Sequence, residues 1–296
     1  MTTCDLNAIH DDVDLPLQVV AFANAGIDLV HAAWEDETVV WDSFDLVVVR
    51  SPWNYVEKLD EFRNWLGDRS GLTTFHNPVE LIEWNIDKHY LADLAQRGVP
   101  IVPTAFVDSI EEFRSAVQSF GSAEIVVKPS VSAGSRLTGR FLKADRAAEA
   151  LATEVFANDL TVMVQPFAAR IDSEGEIGTV LFDGVISHSF KKAALLAEDG
   201  QLVGGEYQEQ VSSVRTPDDV RAVVHAAATA VTEIAREGGW ISTYEQLLYG
   251  RYDVVRLDDG SPALLEAELF EPCFFLPTDV DAADRFVAAV LRRLSA

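Results

Sequence analysis

The sequence is poor in cysteine, in lysine and in long apolar runs. Its two cysteines, Cys4 and Cys273, lie far apart, which provides neither a disulfide framework nor the close spacing of a cysteine-ligated metal site. No apolar run approaches the ~20 residues of a membrane span. The acidic N-terminus also lacks the basic start and apolar core of a signal peptide. These absences predict a cytoplasmic protein without a membrane partner.

Positive charge is scarce, because 23 Lys and Arg residues stand against 48 Asp and Glu residues, a formal net charge of -25. A surface this acidic repels nucleic-acid backbones and anionic lipids, so we expect no nucleic-acid partner. An anionic ligand must therefore be met by a local group of basic residues. The lysines are Lys58, Lys88, Lys128, Lys143, Lys191 and Lys192.

The pattern of apolar residues predicts an α/β protein of two or three units, since 296 residues with 48% hydrophobic composition can bury a large core. Residues 16–75 read as a small α/β unit in which the strand FDLVVVR precedes the loop SPWNY. A helix is predicted over residues 79–98, followed by a boundary near residue 100. Residues 100–167 read as a small α+β module.

The remaining sequence predicts a hairpin at Asp183-Gly184, a loop over residues 193–216 and a helix over residues 218–239. An acidic hairpin and a closing helix over residues 281–296 complete the chain.

Three acids, Asp253, Glu266 and Glu268, lie in the acidic hairpin, whose predicted strands Tyr252–Leu257 and Ala263–Leu269 are joined by the turn sequence DGSP. Alternation places Glu266 and Glu268 on one face, and counting back through the turn brings Asp253 close to being opposite Glu266, within reach across the ladder. Converging carboxylates suit Mg²⁺, or Mn²⁺ as the alternative. On the hairpin alone, a solvated face of an acidic protein explains the acids better.

The lysines suggest a polyphosphate ligand. Lys128 ends the strand EIVVK and precedes PSVSAGS, whose small residues leave backbone N–H groups open to an anion. One of the consecutive strand residues Lys191 and Lys192 must point inward and needs an anionic partner. Neither a P-loop nor a strand-linked G-x-G-x-x-G motif is present. Together with the acids, these lysines predict a bound nucleotide triphosphate with its metal ion.

Several segments, in order, resemble the ATP-grasp superfamily over about residues 77–276. They are NIDKHYLADLAQRGVPIVPT, VVKPSVSAGS, VMVQPF, GEIGTVLFDGVISHSFKK, RYDVV and EAE. The segment WEDETVVWDSFDLVVVRSPWNYVEKLDEF further resembles the subgroup typified by the D-cycloserine-forming cyclo-ligase. D-alanine:D-alanine ligase and glutathione synthetase are more distant relatives.

The resemblance implies an ATP-grasp fold of the α/β (α+β) class in three domains. They would be an N-terminal Rossmann-like pre-ATP-grasp domain over residues 1–99, a central lid domain over residues 100–167, and a C-terminal domain over residues 168–296 with the metal, ATP and substrate sites.

The resemblance also implies site residues. The implied ATP contacts are Lys88, Lys128, Ser132, Gly134, Ser135, Gln165, Phe167, Glu176, Lys191 and Lys192. The implied metal ligands are Asp253, Glu266 and Glu268, and the implied catalytic residues are Arg251 and Lys192. The backbone of Gln165 and Phe167 would read adenine, and residues 130–135 would form the mobile lid loop.

Substrate contacts are predicted from position. The loop with Arg50, Trp53 and Tyr55 follows a strand, where α/β proteins commonly bind ligands, although packing explains Trp53 equally well. Tyr207 and Arg215 flank a later loop and could clamp a carboxylate. His188 is predicted to be structural.

The resemblance implies that a substrate carboxylate attacks the γ-phosphate of ATP and that a nitrogen captures the resulting acyl phosphate. At the subgroup level the reaction would convert O-ureido-D-serine to D-cycloserine in antibiotic biosynthesis. The alternatives are an intermolecular ligase that joins an amino acid to another amino acid or an amine, and an ATP-binding module without turnover. Each case predicts a small-molecule partner, and the family resemblance allows a homodimer.

Overall fold

The computed structural model describes residues 2–5, 12–194 and 210–295, and in this part the chain forms three β-sheets covered by helices. No helix there combines the length and the apolar character that crossing a bilayer would require.

The N-terminal unit contains a parallel sheet with strand order β2-β1-β3. Its elements are β1 (Thr2–Cys4), α1 (Leu15–Asn24), β2 (His31–Ala33), β3 (Val48–Ser51) and α2 (Leu59–Ser70). Strand β3 is buried along its whole length, as parallel strands covered on both faces are. The predicted α/β pattern of residues 16–75 is confirmed.

The prediction of one continuous helix over residues 79–98 is wrong. Two helices, α3 (Val79–Ile86) and α4 (Tyr90–Gln96), replace it. Asp87 separates them with an extended backbone (ψ 122°), and its carboxylate accepts the His89 N–H at 3.0 Å. Both helices bury apolar residues in one core, so their helical periodicity continues across the break.

The central unit is an antiparallel sheet with strand order β4-β7-β5-β6. Its elements are β4 (Ala105–Val107), α5 (Ile110–Ser119), β5 (Glu124–Pro129), β6 (Gly139–Leu142), α6 (Arg146–Ala157) and β7 (Val162–Pro166). Both helices begin at side-chain caps, since Ser109 Oγ accepts the Glu112 N–H and Asp145 accepts the Ala147 N–H.

The C-terminal unit is an antiparallel sheet with strand order β10-β9-β8-β11-β12. Its elements are α7 (Ile171–Glu174), β8 (Glu176–Phe182), β9 (Val185–Lys192), β10 (Val211–Ser213), α8 (Asp218–Glu237), β11 (Tyr249–Arg256), β12 (Pro262–Glu268) and α9 (Ala282–Leu294). Asp183 and Gly184 both have positive φ, as tight hairpin turns require, which confirms that hairpin. Strand β10 lies inside the segment predicted as a loop, because it pairs with the edge of β9.

The two faces of the C-terminal sheet are covered differently. Helix α8 packs on one face together with α3 and α4, so the end of the N-terminal third shares a core with this sheet. Helices α1 and α9 pack with residues 274–276 in a second core. The domain boundaries after residues 99 and 167 stay predictions.

Candidate active site

A cavity of about 810 Å³ lies where the three units meet, a volume typical of small-molecule sites. The predicted residues that line it are Trp53, Lys88, Lys128, Ser132, Gly134, Ser135, Gln165, Phe167, Glu176, Lys192, Arg251, Asp253, Glu266 and Glu268. Arg50, Tyr55, Lys191 and Arg215 do not line it, and Arg215 is exposed to solvent. Tyr207 lies outside the described residues.

Lys88 lies at the break between α3 and α4 and connects three parts of the site. Its ammonium group contacts Glu266 Oε1 at 3.1 Å and donates to the Ser132 carbonyl oxygen at 2.8 Å. Its backbone N–H donates to the Ser130 carbonyl oxygen at 2.9 Å. The break in the predicted helix therefore brings Lys88 onto the predicted lid loop.

Lys128 lies one residue before the end of strand β5 and is 8% exposed. Burial lowers its pKa, while the charge of Glu266 opposes that change from outside contact distance. Among the described residues, Lys128 makes no ion pair with a carboxylate. A buried cation that lines a cavity in this way is suited to an anionic ligand.

Lys192 is the member of the lysine pair that points inward, which confirms the predicted alternation. Its ammonium group contacts Asp253 Oδ2 at 2.9 Å and pairs closely with the Glu176 carboxylate. The expected anionic partner is thus present. Lys191, one residue earlier, is half-buried and lies away from the cavity.

Asp253 and Glu266 are direct partners across β11 and β12, which confirms their predicted proximity. A one-residue irregularity contributes to this pairing, because the register shifts between Asp253 and Val254. Arg251 lies two residues before Asp253 and on the same face. Its guanidinium donates to both oxygens of Asp253 at 2.9–3.1 Å and pairs closely with Glu268. The three predicted metal ligands therefore each contact a basic side chain.

The carboxyl groups of the cavity differ in their pKa values. Burial acts to raise the pKa of Asp253, but Arg251 and Lys192 outweigh it and hold that pKa well below the usual range. Lys88 and Lys128 likewise lower the pKa of Glu266 against burial. Burial dominates at Glu268, whose pKa is raised well above the usual range, and at Glu176, whose pKa rises to about 7.

The donor chemistry of the hairpin fits a hard divalent cation, since its carboxylate oxygens adjoin lysines suited to phosphates. Among the described residues, no group of three His, Cys, Asp or Glu side chains is arranged to hold a metal ion by itself. Mg²⁺ usually binds through one or two carboxylates together with substrate phosphates, so a complete protein cage is not needed.

The predicted adenine end needs one correction. The Phe167 N–H donates to the Glu124 carbonyl oxygen at 3.0 Å, so this donor belongs to the sheet. The Gln165 side chain donates to Thr104 Oγ1 at 2.9 Å and is buried. Both residues nevertheless line the cavity.

Arg140 is a residue that the sequence interpretation missed. Its guanidinium lies 3.6 Å from the centroid of the Phe167 ring. It also forms paired hydrogen bonds with Glu124 at 2.9 Å and contacts Asp172 at 2.9–3.1 Å. Arg140 thus fixes the Phe167 ring and joins the central sheet to α7. No local motif marks it, because its partners are distant in sequence.

The loop after β3 supports the cavity. Arg50 is 1% exposed, pairs with Asp14 at 3.0 Å and stacks 3.4 Å above the Phe274 ring, so it lies outside the cavity. The Trp53 indole N–H donates to the Glu271 carbonyl oxygen at 3.1 Å, and the Tyr55 hydroxyl donates to Glu271 Oε1 at 2.9 Å.

Glu271 and Cys273 line the cavity and were missed. Burial raises the pKa of Glu271 to about 7. Burial and the charge of Asp14 raise the pKa of the Cys273 thiol well above its usual range, so the thiol stays protonated at neutral pH. The signal for Glu271 was the third acid in the segment EAELFEP. His188 contacts the Phe274 carbonyl oxygen at 2.7 Å and has no place in the cavity lining.

Comparison with known proteins agrees with this geometry. A family model described as "D-cycloserine synthetase DcsG, N-terminal domain" matches residues 1–77. The cycloserine biosynthesis protein DcsG of Streptomyces lavendulae is 37% identical over 297 residues, covering 98% of this chain and 97% of that protein. The crystal structure of D-cycloserine synthetase DcsG superimposes with a TM-score of 0.91 at 35% identity, covering 99% and 98% of the two chains.

The ATP-grasp ligase PsnB, complexed with a minimal precursor, has the same fold, with a TM-score of 0.65 at 14% identity and coverage of 100% and 98%. The fold and the charged cavity define an ATP-grasp ligase, an enzyme class that uses ATP and a divalent metal ion to form carbon–nitrogen bonds. Within that class, the chain belongs to the D-cycloserine synthetase (DcsG) family. The predicted fold class, enzyme class and family resemblance are confirmed.

Proposed function

We propose that this chain is a D-cycloserine synthetase, which uses ATP to close the ring of O-ureido-D-serine in antibiotic biosynthesis. The observation that carries the proposal is the relation to DcsG, at 37% identity over 98% of the chain. The charged cavity supports the same chemistry, because its lysines and acids suit a nucleotide triphosphate and a substrate carboxylate.

ATP binds in this proposal with its adenine near Gln165 and Phe167 and its phosphates toward Lys88, Lys128 and Lys192. Lys128 supports this orientation most directly, since it is a buried cation of the cavity without a carboxylate partner among the described residues. Ser132, Gly134 and Ser135 cover the phosphates, and Glu176 contacts the nucleotide. Lys191 lies off the cavity, which leaves Lys192 as the phosphate ligand of the pair.

Asp253, Glu266 and Glu268 would hold Mg²⁺, with Mn²⁺ as the alternative. The metal ion supplies charge neutralisation at the phosphates when it is bound. Asp253 and Glu266 are suited to this role because nearby cations lower their pKa values and keep them ionised. Arg251, now paired with Asp253 and Glu268, is positioned to hold the phosphate or acyl phosphate.

In the reaction, a carboxylate oxygen of the substrate attacks the γ-phosphorus of ATP, and ADP leaves. The ureido nitrogen that is bonded to the serine side-chain oxygen then attacks the acyl carbon, and phosphate leaves as the five-membered ring closes. One water molecule removes the carbamoyl group as CO₂ and ammonia. The chain's own residues provide positioning and charge neutralisation. No protein nucleophile is needed, which agrees with the protonated Cys273 thiol.

A coupled ADP-release assay with Mg-ATP tests the proposal, using O-ureido-D-serine, its L-isomer and a panel of amino acids with and without amines. We expect ADP release and D-cycloserine only with the D-ureido compound. Glu266→Gln should abolish release, whereas Glu83→Gln, a surface change on α3, should not.

Release with a pair of other amino acids would instead identify an intermolecular ligase. ATP binding without turnover on any substrate would identify a binding module. Two further predictions accompany the function, a cytoplasmic location and a homodimer. Light scattering on the purified chain measures its oligomeric state.

A further inference from the structure

The carboxylates that line the cavity differ in what neutralises them. Glu57 pairs with Arg136, Glu176 and Asp253 with Lys192, Glu266 with Lys88, and Glu268 with Arg251. Glu271 is different, because no Lys or Arg of the described chain lies within ion-pair distance of its carboxylate. Its carboxyl group is therefore available to a cationic group of a ligand.

The Glu271 side chain is held in place by the N-terminal unit. Its Oε1 accepts the Tyr55 hydroxyl, and its backbone oxygen accepts the Trp53 indole N–H. Tyr55 is itself fixed, since it is 1% exposed and its ring packs against the rings of Phe62 and Phe270. The second carboxylate oxygen, Oε2, is buried and has no hydrogen-bond partner. A buried oxygen without a hydrogen bond destabilises the folded protein, and a donor from a ligand would remove that cost.

We propose that Glu271 binds the α-ammonium group of the amino-acid substrate through Oε2 and is thereby a specificity-determining residue. This inference rests on the proposed function, because O-ureido-D-serine carries one cationic group, its α-ammonium. A charged N–H donor would satisfy Oε2 and neutralise the carboxylate in one contact.

The surroundings of Glu271 fit both charged ends of an amino acid. Lys88 and Arg251 lie close enough to act on Glu271 electrostatically, and both are basic residues of the phosphate side. A substrate whose carboxylate faces these cations would place its ammonium, one carbon away, toward Glu271. The raised pKa of Glu271 agrees with a buried carboxyl that lacks a cation in the free protein.

The test compares two substrates in two proteins. ADP release is measured for the wild type and Glu271→Gln, with O-ureido-D-serine and with 3-(ureidooxy)propanoate, which has hydrogen in place of the amino group. The amide keeps the shape of the side chain and an oxygen for Tyr55. We expect kcat/KM for O-ureido-D-serine to fall roughly 10- to 100-fold in the variant. The value for the desamino analogue should change by less than about threefold, as should the KM for ATP.

Equal losses on both substrates would overturn the inference, since Glu271 would then only position its loop. If Glu271→Gln does not fold, Glu271→Asp serves the same comparison, because it keeps the charge and withdraws it by one methylene. Glu83→Gln is the control for an acid-to-amide change and should alter neither value. Absence of wild-type turnover with O-ureido-D-serine would overturn the proposed function together with this inference, whereas turnover with equal losses overturns this inference alone.

Discussion

The Arg50–Asp14 pair and the charged groups of the cavity are both buried, but their charges are satisfied in different ways. Around Arg50 and Asp14 the two charges are matched within the protein, and Asp14 also accepts the backbone N–H groups of Phe274 and Leu276 at 2.6 and 2.7 Å. Only the buried Arg50 Nε–H of this pair has no hydrogen-bond partner among the described residues. In the cavity, Lys128 and Glu271 lack ion-pair partners among the described residues. A closed set of charges stabilises the fold, whereas an open set is available to a ligand.

The largest expected effect is the loss of stability when the Arg50–Asp14 pair is broken. Asp14→Ala leaves Arg50 buried without its carboxylate, so the free energy of unfolding should fall by about 3–5 kcal/mol. Asp60→Ala, an exposed change in the first turn of α2, should stay within about 0.5 kcal/mol. Urea denaturation measures both. A loss at Asp14 no larger than at Asp60 would contradict this account of the pair.

A substitution at Lys128 in the cavity should have the opposite effect, a loss of activity without a loss of stability. Lys128→Met removes a cation that phosphate would contact, so kcat/KM for ADP release should fall by about 10²- to 10³-fold. The free energy of unfolding should stay equal or rise, because a desolvated charge without a carboxylate partner is lost. Lys143→Met provides the control, since that lysine lies outside the cavity lining. A Lys128 variant that is unstable but fully active would show that the residue belongs to the closed kind.

The pH dependence of stability sharpens the comparison at Glu271. Its folded-state pKa is raised to about 7 from an ordinary value of 4.5, so the contribution of Glu271 to stability falls as pH rises from 4.5 to 7 and is constant above. Glu271→Gln lacks this titration and should gain about 2–3 kcal/mol relative to the wild type between pH 4.5 and pH 8. If the free energies of unfolding of the two proteins change in parallel with pH, ionisation of Glu271 does not destabilise the fold and this prediction is wrong.

The smallest expected effect concerns the adenine end. Arg140→Lys loses the planar group that stacks on Phe167 and binds Glu124 in two places, so the KM for ATP should rise about three- to tenfold. Arg114→Lys alters a similar paired contact with Glu149 on the surface and should leave this KM unchanged. Equal effects of the two substitutions would argue against a role for Arg140 in holding the ring.

The proximity of Asp253 and Glu266 could be predicted because the hairpin depends on local residues. Asp259 and Gly260 set the turn, and counting back from it brings Asp253 near Glu266. The one-residue irregularity between Asp253 and Val254 that makes the two acids direct partners was not predicted. The break at Asp87 could not be predicted in this way. Leu81 and Leu91 pack into one core with helical spacing on both sides of it, so apolar periodicity continues through the break.

The role of Arg50 shows a second limit of sequence interpretation. Its position after β3 suits a ligand loop, but its charge is neutralised by Asp14, 36 residues earlier in the chain. Glu271 is the opposite case, since its fixed geometry depends on a tyrosine 216 residues away. Contacts between residues so far apart leave no periodicity or spacing in the sequence. Only the folded structure therefore shows which charged groups have partners within the protein and which do not.

The loop from Glu271 to Leu276 is held in large part by the first 55 residues, together with Arg251 at the Cys273 carbonyl oxygen and His188 at the Phe274 carbonyl oxygen. Trp53 and Tyr55 fix its start, Arg50 binds the Pro272 carbonyl oxygen, and Asp14 fixes its end. The N-terminal unit thus fixes the conformation of residues 271–276, which form a wall of the cavity and come from the other end of the chain. A chimera that exchanges this unit with a relative would therefore inherit a different wall even where residues 271–276 are unchanged.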